Sequence, residues 1–271
     1  MSSPVRIQYA SRLFINAATC IQQKLIPAPK AKYLVLAGNC VAANYAVTQP
    51  FLAYASSLWE KVFIVPGTLE HSDLTRQNVC WQTQAETLRK QAMNFKNVYI
   101  CEHSIHRLPE FTLIATPLGG AFLGNPAELI AADPPLEHLN ASGGNVLRKM
   151  RFINEEDLGF LQEALSQESA SKKPLVVATY QLPIIHLIGE KKSDELFNGT
   201  VSPYAFTGTV SILPPKLQQT ILSNNIPLKA WIAGASDESM QLLGTSRHKT
   251  IFTTNPSTSS NYNPQKTIEL A

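Results

Sequence analysis

The stretch Lys32 to Cys40, Lys-Tyr-Leu-Val-Leu-Ala-Gly-Asn-Cys, constrains the fold more than any other part of the chain. Tyr33 to Ala37 is uninterrupted apolar, as expected of a strand covered on both faces of a sheet. Gly38 then permits a sharp turn and leaves Asn39 at the strand's carboxyl end, where open α/β sheets bind ligands. The device recurs three times. Val62-Phe63-Ile64-Val65 ends in Pro66-Gly67 and releases Thr68-Leu69-Glu70-His71. Leu175-Val176-Val177-Ala178 runs into Thr179-Tyr180-Gln181, and Lys229-Ala230-Trp231-Ile232 runs into Ala233-Gly234-Ala235-Ser236-Asp237. Four strand tips are expected to present side chains to one shared site.

The chain has 271 residues, 44% apolar and 16% charged, enough to bury a substantial core. Its formal net charge is only +3, and no basic run exceeds the pairs Lys172-Lys173 and Lys191-Lys192. That gives no electrostatic stripe for nucleic acid, which is therefore not an expected partner. Cys20, Cys40, Cys80 and Cys101 are widely spread, with no Cys-x-x-Cys pair, and read as buried thiols rather than a zinc ribbon. The amino terminus lacks the charged-then-apolar pattern of a signal peptide, and no stretch approaches the roughly 20 apolar residues of a membrane span. A cytoplasmic location is the expectation. A Gly-x-Ser-x-Gly elbow, a phosphate-binding Gly-x-x-x-x-Gly-Lys-Ser/Thr loop and a dinucleotide fingerprint are all missing.

Along the chain, Val5 to Tyr9 reads as a first strand, Tyr45 to Leu58 as a helix, and Thr75 to Phe95 as a second helix. Val98-Tyr99-Ile100 and Thr112 to Ala115 read as short strands. Gly119 to Arg151 is dense in Gly and Pro and is expected to be a surface excursion that touches a partner. Asn154-Glu155-Glu156-Asp157 predicts a helix start capped by Asn154 and running to about Gln167, with Leu158, Leu161 and Leu165 inward. Leu213 to Leu222 predicts a proline-started helix. Thr254 to Asn263 predicts an exposed loop. A lone His186 in an apolar run reads as a core residue. His71, Asp73, His103, His106 and Glu110 are the residues from which a separate metal site could be built, His103 and His106 by sharing a helical face.

The ordered series of strand ends resembles the calcineurin-like metallophosphoesterases. Ser11-Arg12-Leu13-Phe14 resembles that family's Ser-Asp-Leu-His, and Leu36-Ala37-Gly38-Asn39 its Leu-Ala-Gly-Asp. Val65-Pro66-Gly67-Thr68-Leu69-Glu70 resembles Val-Pro-Gly-Asn-His-Glu. Val177 to Pro183 resembles Val-Val-Thr-His-His-Ala-Pro, and Trp231 to Asp237 resembles Trp-Ile-His-Gly-His-Thr-His. The tail from Thr253 to Leu270 is similar to the family's terminal strands, so the likeness spans nearly all of 1–271. It implies one domain with an α/β/β/α sandwich, two mixed sheets face to face between helices, and a loop-rich excursion around 119–151.

The resemblance also marks eight positions where the family holds two metals, and here they read Arg12, Phe14, Asn39, Thr68, Leu69, Tyr180, Ala235 and Asp237. Hard divalent cations need carboxylate oxygens, and zinc or iron needs imidazole or thiolate. Of the eight only Asp237 is a strong ligand. Arg12 places a permanent charge where a dication should sit, and at about 4 Å that repulsion costs a few kcal/mol per unit charge. No metal, no other cofactor and no catalytic residue is expected. Leu69 has no proton to give a leaving group.

Two classes of function remain. One is a pseudoenzyme acting as scaffold, binding or assembly protein through 119–151 or the 254–263 loop, with a structural role in a large viral particle as one setting. The other is residual phosphoesterase or phosphate/nucleotide binding, in which Arg12, Asn39 and Tyr180 clamp the anion of a small phosphorylated ligand. The plainer account of Arg12 is that it pairs with Asp237 or Glu70 and fills a vacated site.

Overall fold

The apolar runs within Tyr33–Ala37, Lys61–Val65, Leu175–Thr179 and Leu228–Ala233 become buried strands, and the strands sort into two mixed sheets. The computed structural model describes residues 4–15, 29–43, 46–71, 81–118, 146–183, 213–222, 226–236, 238–244 and 249–270, leaving aside the side chains of 81–82, 146–153 and 222. In the first sheet β1 (Val5–Ala10), β2 (Tyr33–Ala37), β3 (Lys61–Val65) and β4 (Val98–Ile100) run parallel. The last strand, β11 (Thr267–Leu270), returns antiparallel to β1 and closes the edge. The second sheet has the order β5-β6-β7-β8-β10-β9. Its centre is parallel: β6 (Thr112–Thr116), β7 (Leu175–Thr179), β8 (Leu228–Ala233) and β10 (Ile251–Thr254). The edges β5 (Ser104–Arg107) and β9 (Gln241–Leu243) are antiparallel.

Period-two alternation divides the side chains between two clusters. Tyr33, Val35 and Ala37 of β2 and Phe63 and Val65 of β3 pack with the second sheet. Leu34, Leu36, Val62 and Ile64 point the other way, onto Phe51, Leu52 and Ala55 of α1 (Thr48–Leu58) and Leu88 and Ala92 of α3 (Trp81–Ala92). Between these helices in sequence lies the one-turn α2 (Thr68–His71). On the second sheet, α4 (Val146–Glu168) contributes Leu161 and Leu165, and α5 (Pro215–Leu222) contributes Leu217 and Ile221. Each such side chain, buried in full, stabilises the fold by about 1.5–3 kcal/mol. The two sheets come into close contact just past the end of β8. A β-carbon on Gly234 would lie 1.5 Å from the carbonyl oxygen of Ala37, so no side chain fits there.

Four elements differ from the sequence expectations. Thr68 to His71 does not spill out of a turn but forms a fully buried helical turn. Ser104 to Arg107 is a strand, so His103 and His106 share no helical face. The helix predicted from Asn154 begins at Val146, inside the stretch expected to be a surface excursion, and Asn154 is a buried interior residue rather than a cap. Its buried face carries polar groups, Asn154, Asp157 and Glu168, which blurred the apolar stripe. The 254–263 loop begins buried: Thr254 and Asn255 are fully enclosed, and Asn255 Nδ2 donates to the carbonyls of Tyr9 and Asn263. Of the expected excursion, 119–145 lies outside the described residues, as do Asp73, His186, Cys20 and Cys80. Among the described residues, no helix is long and apolar enough to cross a membrane.

Candidate functional site

The parallel strands of both sheets end on one side, and their turns interlock there. Arg12 N–H donates to the Gly38 carbonyl at 2.9 Å, Phe14 N–H to Asn39 at 3.0 Å and Ile15 N–H to Cys40 at 2.8 Å. Arg12, Phe14 and Asn39 all have positive φ, at 52°, 45° and 54°, and Gly38 has +79°. A left-handed conformation is tolerable for Gly and Asn but strained for Arg and Phe. Two strained residues, Arg12 and Phe14, beside a left-handed Asn39 mark a backbone shaped by its surroundings.

Seven of the eight predicted positions lie at these interlocked strand ends. Asn39 Oδ1 accepts from Leu69 N–H at 2.7 Å and Thr68 Oγ1 at 3.1 Å, while its Nδ2 donates to Tyr180 Oη at 2.8 Å. Thr68 Oγ1 and Tyr180 Oη are 3.4 Å apart. The tyrosine ring lies directly on the turns: a β-carbon at Gly38 would sit 2.2 Å from Tyr180 Cδ2, and one at Gly67 would sit 2.9 Å from it. Tyr180 is fixed in turn from below, its N–H donating to Pro117 and its carbonyl accepting from Gly234 and Ala235. Arg12 is only 5% exposed, with its guanidinium 5.6 Å from the centre of the Phe14 ring. Ala235 is buried at the tip of β8, and Asp237 lies outside the described residues.

Glu70, a carboxylate beside this cluster, is committed to the backbone. Glu70 is 0% exposed and accepts from the N–H groups of Asn39 (2.9 Å), Cys40 (2.7 Å), Val41 (3.0 Å) and Gly67 (2.8 Å). Burying a lone carboxylate costs several kcal/mol, and four charge-assisted bonds offset it. The same enclosure, with Glu70 beside it, pushes the Cys40 thiol well up from its ordinary value. Glu70 is therefore a structural anchor for the turns, and of the two partners the sequence offers Arg12, it is engaged elsewhere. Its bond to Gly67, three residues back, is half of a capping box, a spacing visible in the sequence.

Among the described residues, a divalent pair at these tips would meet an amide, a hydroxyl, a phenol and a guanidinium, and this donor set does not fit it. The separate metal residues do not assemble either. His71 Nε2 faces Glu102 at 3.9 Å, His103 bonds Asp157, His106 lies 3.6 Å from Cys101 Sγ, and Glu110 accepts from Tyr33 Oη at 2.7 Å. Among the described residues, no three His, Cys, Asp or Glu side chains could hold a metal ion.

Sequence reasoning missed a second polar cluster on the same side, at the ends of β4 and β6. His103 Nε2 lies 2.6 Å from Asp157 Oδ1, and Thr116 Oγ1 donates to the same oxygen at 2.7 Å. The partners are 54 and 41 residues apart in sequence, so no local motif announces them. Glu102 beside them is paired with Arg89 of α3.

No family model matches the chain. It is 23% identical over 207 residues to "Uncharacterized protein L509" of Acanthamoeba polyphaga mimivirus, covering 74% of this chain and 70% of that one. Among solved structures it resembles phosphopantetheinyl hydrolase from Mycobacterium tuberculosis, with a TM-score of 0.66 and 12% identity over 100% of this chain and 97% of that one. It also resembles a dimetal phosphatase from Danio rerio, with a TM-score of 0.54 and 12% identity over 99% and 93% of the two chains. With two mixed sheets packed between helices and their strand tips pooled on one side, this chain has the calcineurin-like phosphoesterase fold.

Proposed function

We propose that the chain, as one domain spanning 1–271, is a metallophosphoesterase-fold pseudoenzyme that serves as a scaffold, binding or assembly protein. The observation that carries this reading is the buried network of neutral side chains Asn39, Thr68 and Tyr180. In an active member of this fold, two ions would lower the pKa of a bound water and clamp phosphate oxygens. Here the phenol ring occupies the ground between Gly38 and Gly67, and Arg12 adds positive charge. What the residues do instead is hold the strand tips rigid. The mimivirus origin of the sequence relative favours a viral setting, with a role in a large particle as its narrower form.

Metal analysis after purification in manganese, iron and zinc tests the reading directly. No stoichiometric metal and no chelator-sensitive turnover of a generic phosphodiester are expected. Two metals per chain would overturn it. Co-purification of a stoichiometric protein partner would extend it.

The second reading, anion binding by Arg12, Asn39 and Tyr180, has the buried guanidinium in its favour. Against it, Asn39 and Tyr180 spend their polar atoms on each other and on α2. Stabilisation by inorganic phosphate that disappears in Arg12→Ala would favour this reading over the first.

A further inference from the structure

His103 stands where the chain leaves the first sheet for the second, between β4 and β5, with a positive φ of 47°. Its ring stacks on Phe160 of α4 at a centroid distance of 5.0 Å, and its Nε2 meets Asp157 of the same helix at 2.6 Å. The two partners differ in access to water: the His103 side chain is 42% exposed and that of Asp157 is 1% exposed. The imidazole can therefore exchange protons with solvent while the carboxylate stays fixed, held also by Thr116 of β6. We propose that this pair is a proton-dependent clamp, fastening α4 to the turn that joins the two sheets.

The charged neighbours agree on the sign. From α4 come Asp157 and Glu156, and from the turn itself Glu102; β6 contributes only the neutral Thr116. Glu102 is shared with Arg89 of α3 and lies 3.9 Å from His71 of α2, so its pull is partly spent. The hydrogen bond to Asp157, then the acidic charges, raise the His103 pKa above its ordinary value, and burial only partly opposes them. A histidine raised in the folded state contributes stability that is complete below its unfolded pKa of about 6.5 and is lost as pH climbs through the folded value. A charge-assisted bond to a buried carboxylate is roughly twice as strong as a neutral one, so α4 is held tightly when acidified and more loosely when His103 is neutral. The clamp does not depend on what the strand tips do.

Histidine-selective NMR of the full chain reads the titration directly, the His103 signal being the one of six lost in His103→Gln. The midpoint is expected above that of free histidine, and lower in Asp157→Asn. Hydrogen exchange along α4, corrected for intrinsic rates, is expected to be slower at about pH 5.5 than at about pH 8.5, and His103→Gln should flatten that difference. A wild-type midpoint at or below free histidine overturns the clamp, whether or not Asp157→Asn folds. So does α4 protection with the same pH dependence in wild type and His103→Gln.

Discussion

Two polar clusters lie on the same side of the molecule and are built on opposite plans. At the tips of β2, β3 and β7 an amide, a hydroxyl and a phenol bond one another behind an aromatic ring, in full burial. At the ends of β4 and β6 an imidazole and a carboxylate meet, with half of the pair in water. The first cluster carries no charge of its own and depends on shape. The second depends on charge and answers to the solvent. One edge of the fold thus holds a neutral cluster and an ionisable one side by side.

The largest effect is expected at Glu70. Glu70→Ala would leave four buried N–H groups without their acceptor, and chemical denaturation should show a loss of about 4 kcal/mol or failure to fold. Gly38→Ala comes next, since the new methyl meets the Tyr180 ring and the backbone is left-handed there; about 3 kcal/mol is expected. A wild-type-like midpoint in that variant would mean that the ring does not rest on the turn. Tyr180→Phe keeps the ring and removes one acceptor, for about 1 kcal/mol. That loss should be the same in acid and in mild alkali, whereas the loss in His103→Gln should shrink as pH rises. If the two profiles are parallel, the contrast between the clusters fails. The smallest effect is expected at Arg6→Ala, where the Arg6–Glu269 pair is about half exposed; a change of about 0.5 kcal/mol or less should be seen.

How much of this was legible in the sequence follows from the range of each interaction. Tyr33 to Ala37 and Leu175 to Ala178 announce buried strands because every residue is apolar, and both are fully buried. The order of the strand-end motifs then pointed to the fold, two mixed sheets between helices. The strand Ser104 to Arg107 was missed because its sequence is polar; it is an edge strand, paired on one side only. The early start of α4 was hidden by Gly and Pro upstream and by a buried face that carries Asn154 and Asp157. The His103–Asp157 pair is a product of tertiary packing, between residues that only the finished sheets bring together. Glu70 shows the intermediate case: its reach to Gly67 is local, while its bonds to Asn39, Cys40 and Val41 cross 29 to 31 residues.

The contact between Gly234 and the Ala37 carbonyl has a consequence for which residues can be replaced. Side chains at the strand tips can be exchanged where their neighbours repack around an amide or a phenol. A residue pinned by main chain on the opposite layer has no such latitude, since any substituent would wedge the two halves of the sandwich apart. Substitution at Gly234 is therefore limited by main chain rather than by the chemistry of the strand tips.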